Sequence, residues 1–170
     1  MITLSKCDVN SIYLKEVVEW LNDKSHVRFS SQRFLHHTLQ SQRDFLESIQ
    51  EEGHEYLLGF DDNRLVGTAT ILHRFPHKTS EIGLIIARDL KGKGYGKSLF
   101  GEVCNYAFRN VDVEKLRSGC LSVNTPMVKI LESCGFKKEA IFKKEEIFEG
   151  SRVDTWFYAK HRTELVVLTI

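Results

Sequence analysis

Residues 81–108, EIGLIIARDLKGKGYGKSLFGEVCNYAF, decide the reading of this chain. Ile82 to Ala87 is a short apolar run between a glutamate and a charged turn, which suits a buried central strand. From Gly94 the period changes: Leu99, Phe100, Val103, Cys104 and Ala107 recur at helical spacing. Strand, glycine-rich turn and helix therefore follow one another directly. In Lys91-Gly92-Lys93-Gly94-Tyr95-Gly96 the glycines let a ligand approach the backbone, and the first turn of the helix offers unpaired N–H groups with partial positive charge. Lys91 and Lys97 flank the turn, so a pyrophosphate is a natural guest. The spacing fits neither the Walker loop nor the dinucleotide fingerprint, and the competing reading is an ordinary tight strand-to-helix turn.

Outward from this stretch, a strand is expected at Ile2 to Leu4, and Leu14, Val17, Val18 and Leu21 mark a first helix that stops at Asn22-Asp23. Residues 24–37 mix Ser, Arg, His and Phe without a period and read as a loop. Thr38 is a good N-cap for a second helix with Leu39, Phe45, Leu46 and Ile49 on its inner face. Tyr56 to Phe60 and Leu65 to Leu72 read as a hairpin about Asp61-Asp62-Asn63. Lys115 to Val123 is a strand, Pro126 and Gly135 bracket a short helix, and Ala140 to Phe148 with Val153 to Ala159 form a closing hairpin. The apolar tail Leu165 to Ile170 suits packing on a sheet edge or on a partner chain, so a homodimer is one expectation.

With 170 residues, 42% of them apolar, the chain suits a single domain, residues 1–170. A net charge of +1 gives no electrostatic case for nucleic acid or an anionic membrane. Cys7, Cys104, Cys120 and Cys134 are scattered through mostly apolar segments, as expected of free thiols in a reducing compartment. No apolar run is long enough to span a bilayer and no signal region follows Met1, so a cytoplasmic protein is expected. His36-His37 invites a metal reading, but adjacent residues point apart and no Cys/His pair has ligand spacing; no metal is expected.

Lys91, Gly94 and Gly96 occupy the places of the Gln/Arg-x-x-Gly-x-Gly/Ala signature, and the run resembles motif A of the GNAT superfamily of acyl-coenzyme A N-acyltransferases. Lysine in the first place is a mild departure. Downstream, Asn124 to Phe136, NTPMVKILESCGF, resembles motif B, and Trp20-Leu21-Asn22-Asp23 resembles the branch that holds ribosomal-protein and aminosugar acetyltransferases. The resemblance implies a mixed α/β (α+β) fold: a twisted, mainly antiparallel sheet of six to seven strands with about four helices on its faces.

It also implies acetyl-CoA as co-substrate and transfer to a primary amine within a ternary complex. The expected cofactor contacts are the backbone of Ile85, Ile86 and Ala87 along the pantetheine, the loop Lys91, Gly92, Lys93, Gly94, Tyr95, Gly96, Lys97 and Ser98 at the pyrophosphate, and Asn124. Asn124 also suits the N-cap of the next helix. Glu81 aligns with the glutamate that acts as general base in several members; the other reading is a solvated strand-end charge. Arg28, Phe29, Gln32 and Arg33 are the expected acceptor-binding residues, the basic groups suiting phosphates or carboxylates. The family's leaving-group acid is a tyrosine or serine, where this chain has Leu131 and Met127; Cys134 and Ser122 are the nearby substitutes.

The first expected acceptor is the amino group of a nucleotide-linked aminosugar. The N-terminal amine of a ribosomal protein comes next, then polyamines or aminoglycosides. Loss of the usual acids also admits a coenzyme A sensor without catalysis.

Overall fold

A computed structural model describes residues 1–164; the apolar tail lies outside the described residues. In chain order the elements are β1 (Ile2–Lys6), α1 (Leu14–Asn22), α2 (Leu39–Glu51), β2 (Glu55–Asp61), β3 (Arg64–Arg74), β4 (Thr79–Ile86), α3 (Tyr95–Asn110), β5 (Lys115–Leu121), α4 (Thr125–Ser133), β6 (Lys137–Phe148) and β7 (Ser151–His161). The strands form one sheet in the order β1-β2-β3-β4-β5-β7-β6. Each neighbouring pair is antiparallel except β4 and β5. The expected mixed sheet with four α-helices is what forms.

The two-residue period of the strands divides the core between the sheet's faces. Leu57 packs with Ile82, Leu99, Phe100 and Val103, under α3 and α4. Its neighbours Tyr56 and Leu58 pack with Leu14, Val17, Trp20 and Leu46, under α1 and α2. α2 is capped as expected: Thr38 Oγ1 accepts from Ser41 N at 3.0 Å, and Ser41 Oγ accepts from Thr38 N at 2.9 Å. Its inner face differs from expectation. Gln42, Leu46 and Ile49 are buried at i, i+4 and i+7, and Phe45 is 40% exposed. Leu46 and Ile49 keep their expected places and Leu39 packs partly buried against the same core, so the departures are Gln42, buried on that face where an apolar pattern could not reveal it, and Phe45 at its edge.

The feature that places the site is the junction of β4 and β5. Their parallel register covers Thr79↔Lys115, Ser80↔Leu116 and Glu81↔Arg117. Beyond it β4 continues to Ile86 beside β3 alone, while β5 turns to β7. The two strands diverge, and one edge of β4 is left open over its last residues.

Candidate active site

On β4 the backbone alternates between its two edges. Ala87 N donates to Val66 O at 2.8 Å, and Ile85 stands opposite Thr68, so Ile85 and Ala87 direct their polar groups to β3. Leu84 and Ile86 present theirs to the open edge. The expectation that Ile85, Ile86 and Ala87 all serve an extended ligand is corrected by this alternation: Ile86 qualifies, and Leu84 replaces the other two.

The loop after β4 is built for close approach. Gly92 (φ +76°) and Gly94 (φ +87°) are left-handed, and a Cβ at either would meet no atom within 4 Å. Gly94 is the N-cap of α3 and no side chain caps the helix, so its first-turn N–H groups face outward beside exposed Lys93 and Lys97. Ser98 Oγ turns back to Gly94 O at 3.5 Å. Gly96 has a different reason to be glycine: its Cβ would lie 2.7 Å from Ile130 Cδ1, so it lets α3 and α4 approach.

Two side chains of the loop are committed to the protein. Tyr95 OH donates to Asp61 Oδ2 at 3.0 Å. Lys91 Nζ donates to His26 O at 2.6 Å, and partial burial there pushes its pKa down. Lys91 thus ties the anion loop to the 24–37 loop. Asn124 Oδ1 accepts from Met127 N at 3.2 Å, capping α4.

On the α1/α2 face, against the open end of β4, lies a cavity of about 470 Å³. Its walls are Leu21, the loop residues Gln32, Leu35, His36 and His37, then Ser41, Gln42 and Phe45 of α2, and Tyr56, Thr68, Thr70, Gly83, Leu84 and Ile85 of the sheet. No aspartate, glutamate, lysine or arginine is among these lining residues. Tyr56 OH donates to Thr68 Oγ1 at 3.1 Å.

The loop over the cavity is fastened by the Trp20–Asp23 stretch. Asn22 exchanges two hydrogen bonds with the backbone of His37, at 2.7 and 2.8 Å. The Asp23 carboxylate accepts from the Ser25 hydroxyl, the backbone N–H of His26 and the guanidinium of Arg88, which holds its pKa down at about 2. Burial, with Lys24 and His36 nearby, pushes the His37 pKa down, favouring a neutral imidazole at the cavity wall.

Of the expected acceptor residues, Gln32 lines the cavity. The other three turn to the β6–β7 hairpin. Arg28 pairs with Glu149 at 2.5 Å and lies over the rings of Phe29 and Phe148, which stack at 5.3 Å. Arg33 donates to Ile147 O at 3.0 Å. These groups are held by hairpin partners more than a hundred residues away in sequence. The cavity residues missed from sequence are chiefly His36, His37, Gln42, Thr68 and Thr70. Two threonines at alternate positions of an apolar strand were the available signal.

Glu81 stands at the vertex where β4 and β5 part, on the same face as Gly83 and Ile85. Two strand residues, roughly 7 Å, separate it from Gly83 on the cavity wall. Its Oε2 lies 2.7 Å from Arg117 Nη2, and both side chains are about a third exposed (34% and 35%). At the places of the usual leaving-group acids, Leu131 is fully buried and Met127 is partly buried against the α3 side of the core. Burial pushes the Cys134 thiol pKa up, and its Sγ faces Lys97 O at 3.9 Å.

An anion loop and a cavity thus flank the open edge of β4, which begins where β4 and β5 part. A family model, the acetyltransferase (GNAT) domain, matches residues 7–137. The chain belongs to the GNAT acetyltransferase family. Its activity is acetyl-CoA-dependent N-acetyl transfer. It is 28% identical over 123 residues to a probable N-acetyltransferase, YjcK, of Bacillus subtilis (strain 168), covering 68% of each chain. It is 25% identical over 130 residues to the acetyltransferase PseH of Campylobacter jejuni (serotype O:23/36, strain 81-176), covering 76% of this chain and 80% of that one.

Among solved structures, the spermidine N-acetyltransferase of Vibrio cholerae in complex with CoA and spermine superposes with a TM-score of 0.85 at 17% identity, over 95% of this chain and 96% of that one. The ribosomal L7/L12 alpha-N-protein acetyltransferase RimL in complex with coenzyme A does so with a TM-score of 0.82 at 16% identity, over 94% and 93%. At such identities the superpositions establish the fold. Acetyl-CoA is the co-substrate, and the left-handed glycines, uncapped helix start and open β4 edge suit its pyrophosphate and extended arm. Among the described residues no helix is long and apolar enough to cross a membrane.

Proposed function

We propose that this GNAT acetyltransferase acetylates the primary amine of an aminosugar, in the nucleotide-linked form expected from the sequence, with Glu81 as general base acting through water. The observation that carries the reading is the cavity beside the open β4 edge, walled by neutral hydrogen-bonding groups and apolar side chains. A sugar offers hydroxyls to Gln32, Ser41, Gln42 and Thr70 and an apolar ring face to Phe45. A polyamine brings further ammonium groups into a space without a lining carboxylate, where their desolvation goes uncompensated. The phosphates of a nucleotide would lie outside this cavity, at its mouth.

An alkyl ammonium of pKa ~10 must lose a proton before its nitrogen can attack. Water relays that proton to the Glu81 carboxylate. The nitrogen then bonds to the thioester carbonyl carbon, the C–S bond breaks with its electron pair on sulfur, and the second proton lost from nitrogen passes to water. The sulfur leaves as thiolate; with a thiol pKa of ~8.5 it needs no dedicated acid. The transferred amide stays on the acceptor and free coenzyme A is released.

The test is release of coenzyme A thiol from acetyl-CoA with a panel of amines: D-glucosamine, a nucleotide-linked aminosugar, spermidine and a peptide with a free N-terminus. Saturable turnover with an aminosugar, at a kcat/KM at least about tenfold above spermidine, is the expected outcome. A preference for spermidine or the peptide would overturn the acceptor assignment. Tight acetyl-CoA binding without turnover on any amine would favour a sensor.

A further inference from the structure

Glu81 and Arg117 face each other on the last paired rung of β4 and β5. One residue on, buried Ser118 Oγ donates to Ile82 O at 2.8 Å. Successive strand residues point to opposite faces, so β5 grips β4 from both sides at the vertex. The two grips differ in kind. Ser118 holds main chain inside the core and fixes where the strands part. Arg117 holds a side chain on the open face, with Nη2 2.7 Å from Glu81 Oε2. Among the described residues the buried Nε of Arg117 has no acceptor, so the Glu81 contact is what orients the guanidinium.

A partly exposed ion pair of this kind adds little to stability. It does restrict a carboxylate that would otherwise sample several rotamers, and a base must sit within one water of the proton that it takes.

We propose that Arg117 is the positioning residue for Glu81: it holds one carboxylate oxygen at the vertex and leaves the other for the water that receives the amine proton. This rests on Glu81 being the base, and the experiment separates the two ideas. Glu81→Gln, Arg117→Met, Arg117→Lys, Ser118→Ala and the double variant Glu81→Gln/Arg117→Met are compared in kcat and KM with the best amine of the panel above. Coenzyme A affinity is measured by calorimetry.

Arg117→Met is expected to lower kcat by about 10- to 100-fold, with amine KM and coenzyme A Kd within about twofold of the parent. Arg117→Lys, which keeps the charge but loses the fork, should recover part of the rate. The double variant should be no slower than Glu81→Gln, because residues that act as a unit are not additive. Ser118→Ala should weaken coenzyme A binding instead. Arg117→Met at the parental rate beside an impaired Glu81→Gln would sink the positioning role alone. Multiplicative losses in the double variant, or a loss of coenzyme A affinity with Arg117→Met that matches Ser118→Ala, would make Arg117 a structural residue. Glu81→Gln at the parental rate would remove both ideas, as would the absence of turnover with every amine.

Discussion

Gly94 carries the cofactor assignment in a form that can be measured. Its φ of +87° lies where an L side chain costs about 1–2 kcal/mol, and its Cβ position is open to the space in front of α3. Any substitution should therefore lower the melting temperature of the free protein by roughly 2–8 °C, at about 2–4 °C per kcal/mol for a chain of this length. Acetyl-CoA at about 100 times its Kd stabilises the parent by about 2.7 kcal/mol, or roughly 5–11 °C. Gly94→Ala should keep a clear ligand-dependent rise, because nothing in the protein lies within 4 Å of the added methyl. Gly94→Glu should start from a similar baseline and lose the rise, since a carboxylate enters a site that favours phosphate oxygens. Differential scanning fluorimetry with and without acetyl-CoA distinguishes these effects. If Gly94→Glu shows the full parental rise, the pyrophosphate is not held at the start of α3.

Two further outcomes follow from other parts of the molecule. Gly83 lines the cavity with open space at its Cβ, so Gly83→Val should fill the acceptor site without disturbing the fold; amine KM should rise about tenfold or more while coenzyme A Kd, by calorimetry, stays within about twofold. Glu55 accepts hydrogen bonds from His73 and Tyr106 and pairs with Lys6, and these contacts hold its pKa down from 4.5 to about 2. The sign follows from linkage: a lowered carboxylate pKa gives stability that is fully present above pH 4.5 and lost as pH falls toward 2, on the order of 3 kcal/mol at most. Urea melts at pH 7, 4 and 3 should show that decline in the parent and a flatter profile in Glu55→Gln.

The elements with a clean period were legible in the sequence because local spacing dictates them. Leu99 to Ala107 mark the buried face of α3, and Thr38 starts α2, since each depends on neighbours within a few residues. The glycine-rich turn before α3 was legible for the same reason, whereas the left-handed φ of Gly92 and Gly94 is read from the structure. What sequence could not give were choices among distant partners. Arg28 and Arg33 read as anion ligands until the hairpin residues Glu149 and Ile147 are seen beside them. Lys91, expected at the pyrophosphate, also donates to the carbonyl of His26, a partner that no local pattern shows. Which residues of β4 face the open edge depends on its register with β3, which no local pattern fixes.

In the proposed mechanism Glu81, at the vertex of β4 and β5, takes the amine proton. The most direct measurement is the pH dependence of acetyl transfer by Glu81→Gln, using the most basic amine that the parent turns over. The variant should bind coenzyme A within about twofold of the parent and be slower near neutral pH by a factor on the order of 10²–10⁴. The deficit should shrink as pH approaches the amine pKa of ~10, where free amine is supplied by the solvent. A deficit of the same size at every pH, or a variant within about twofold of the parent throughout, would contradict the claim.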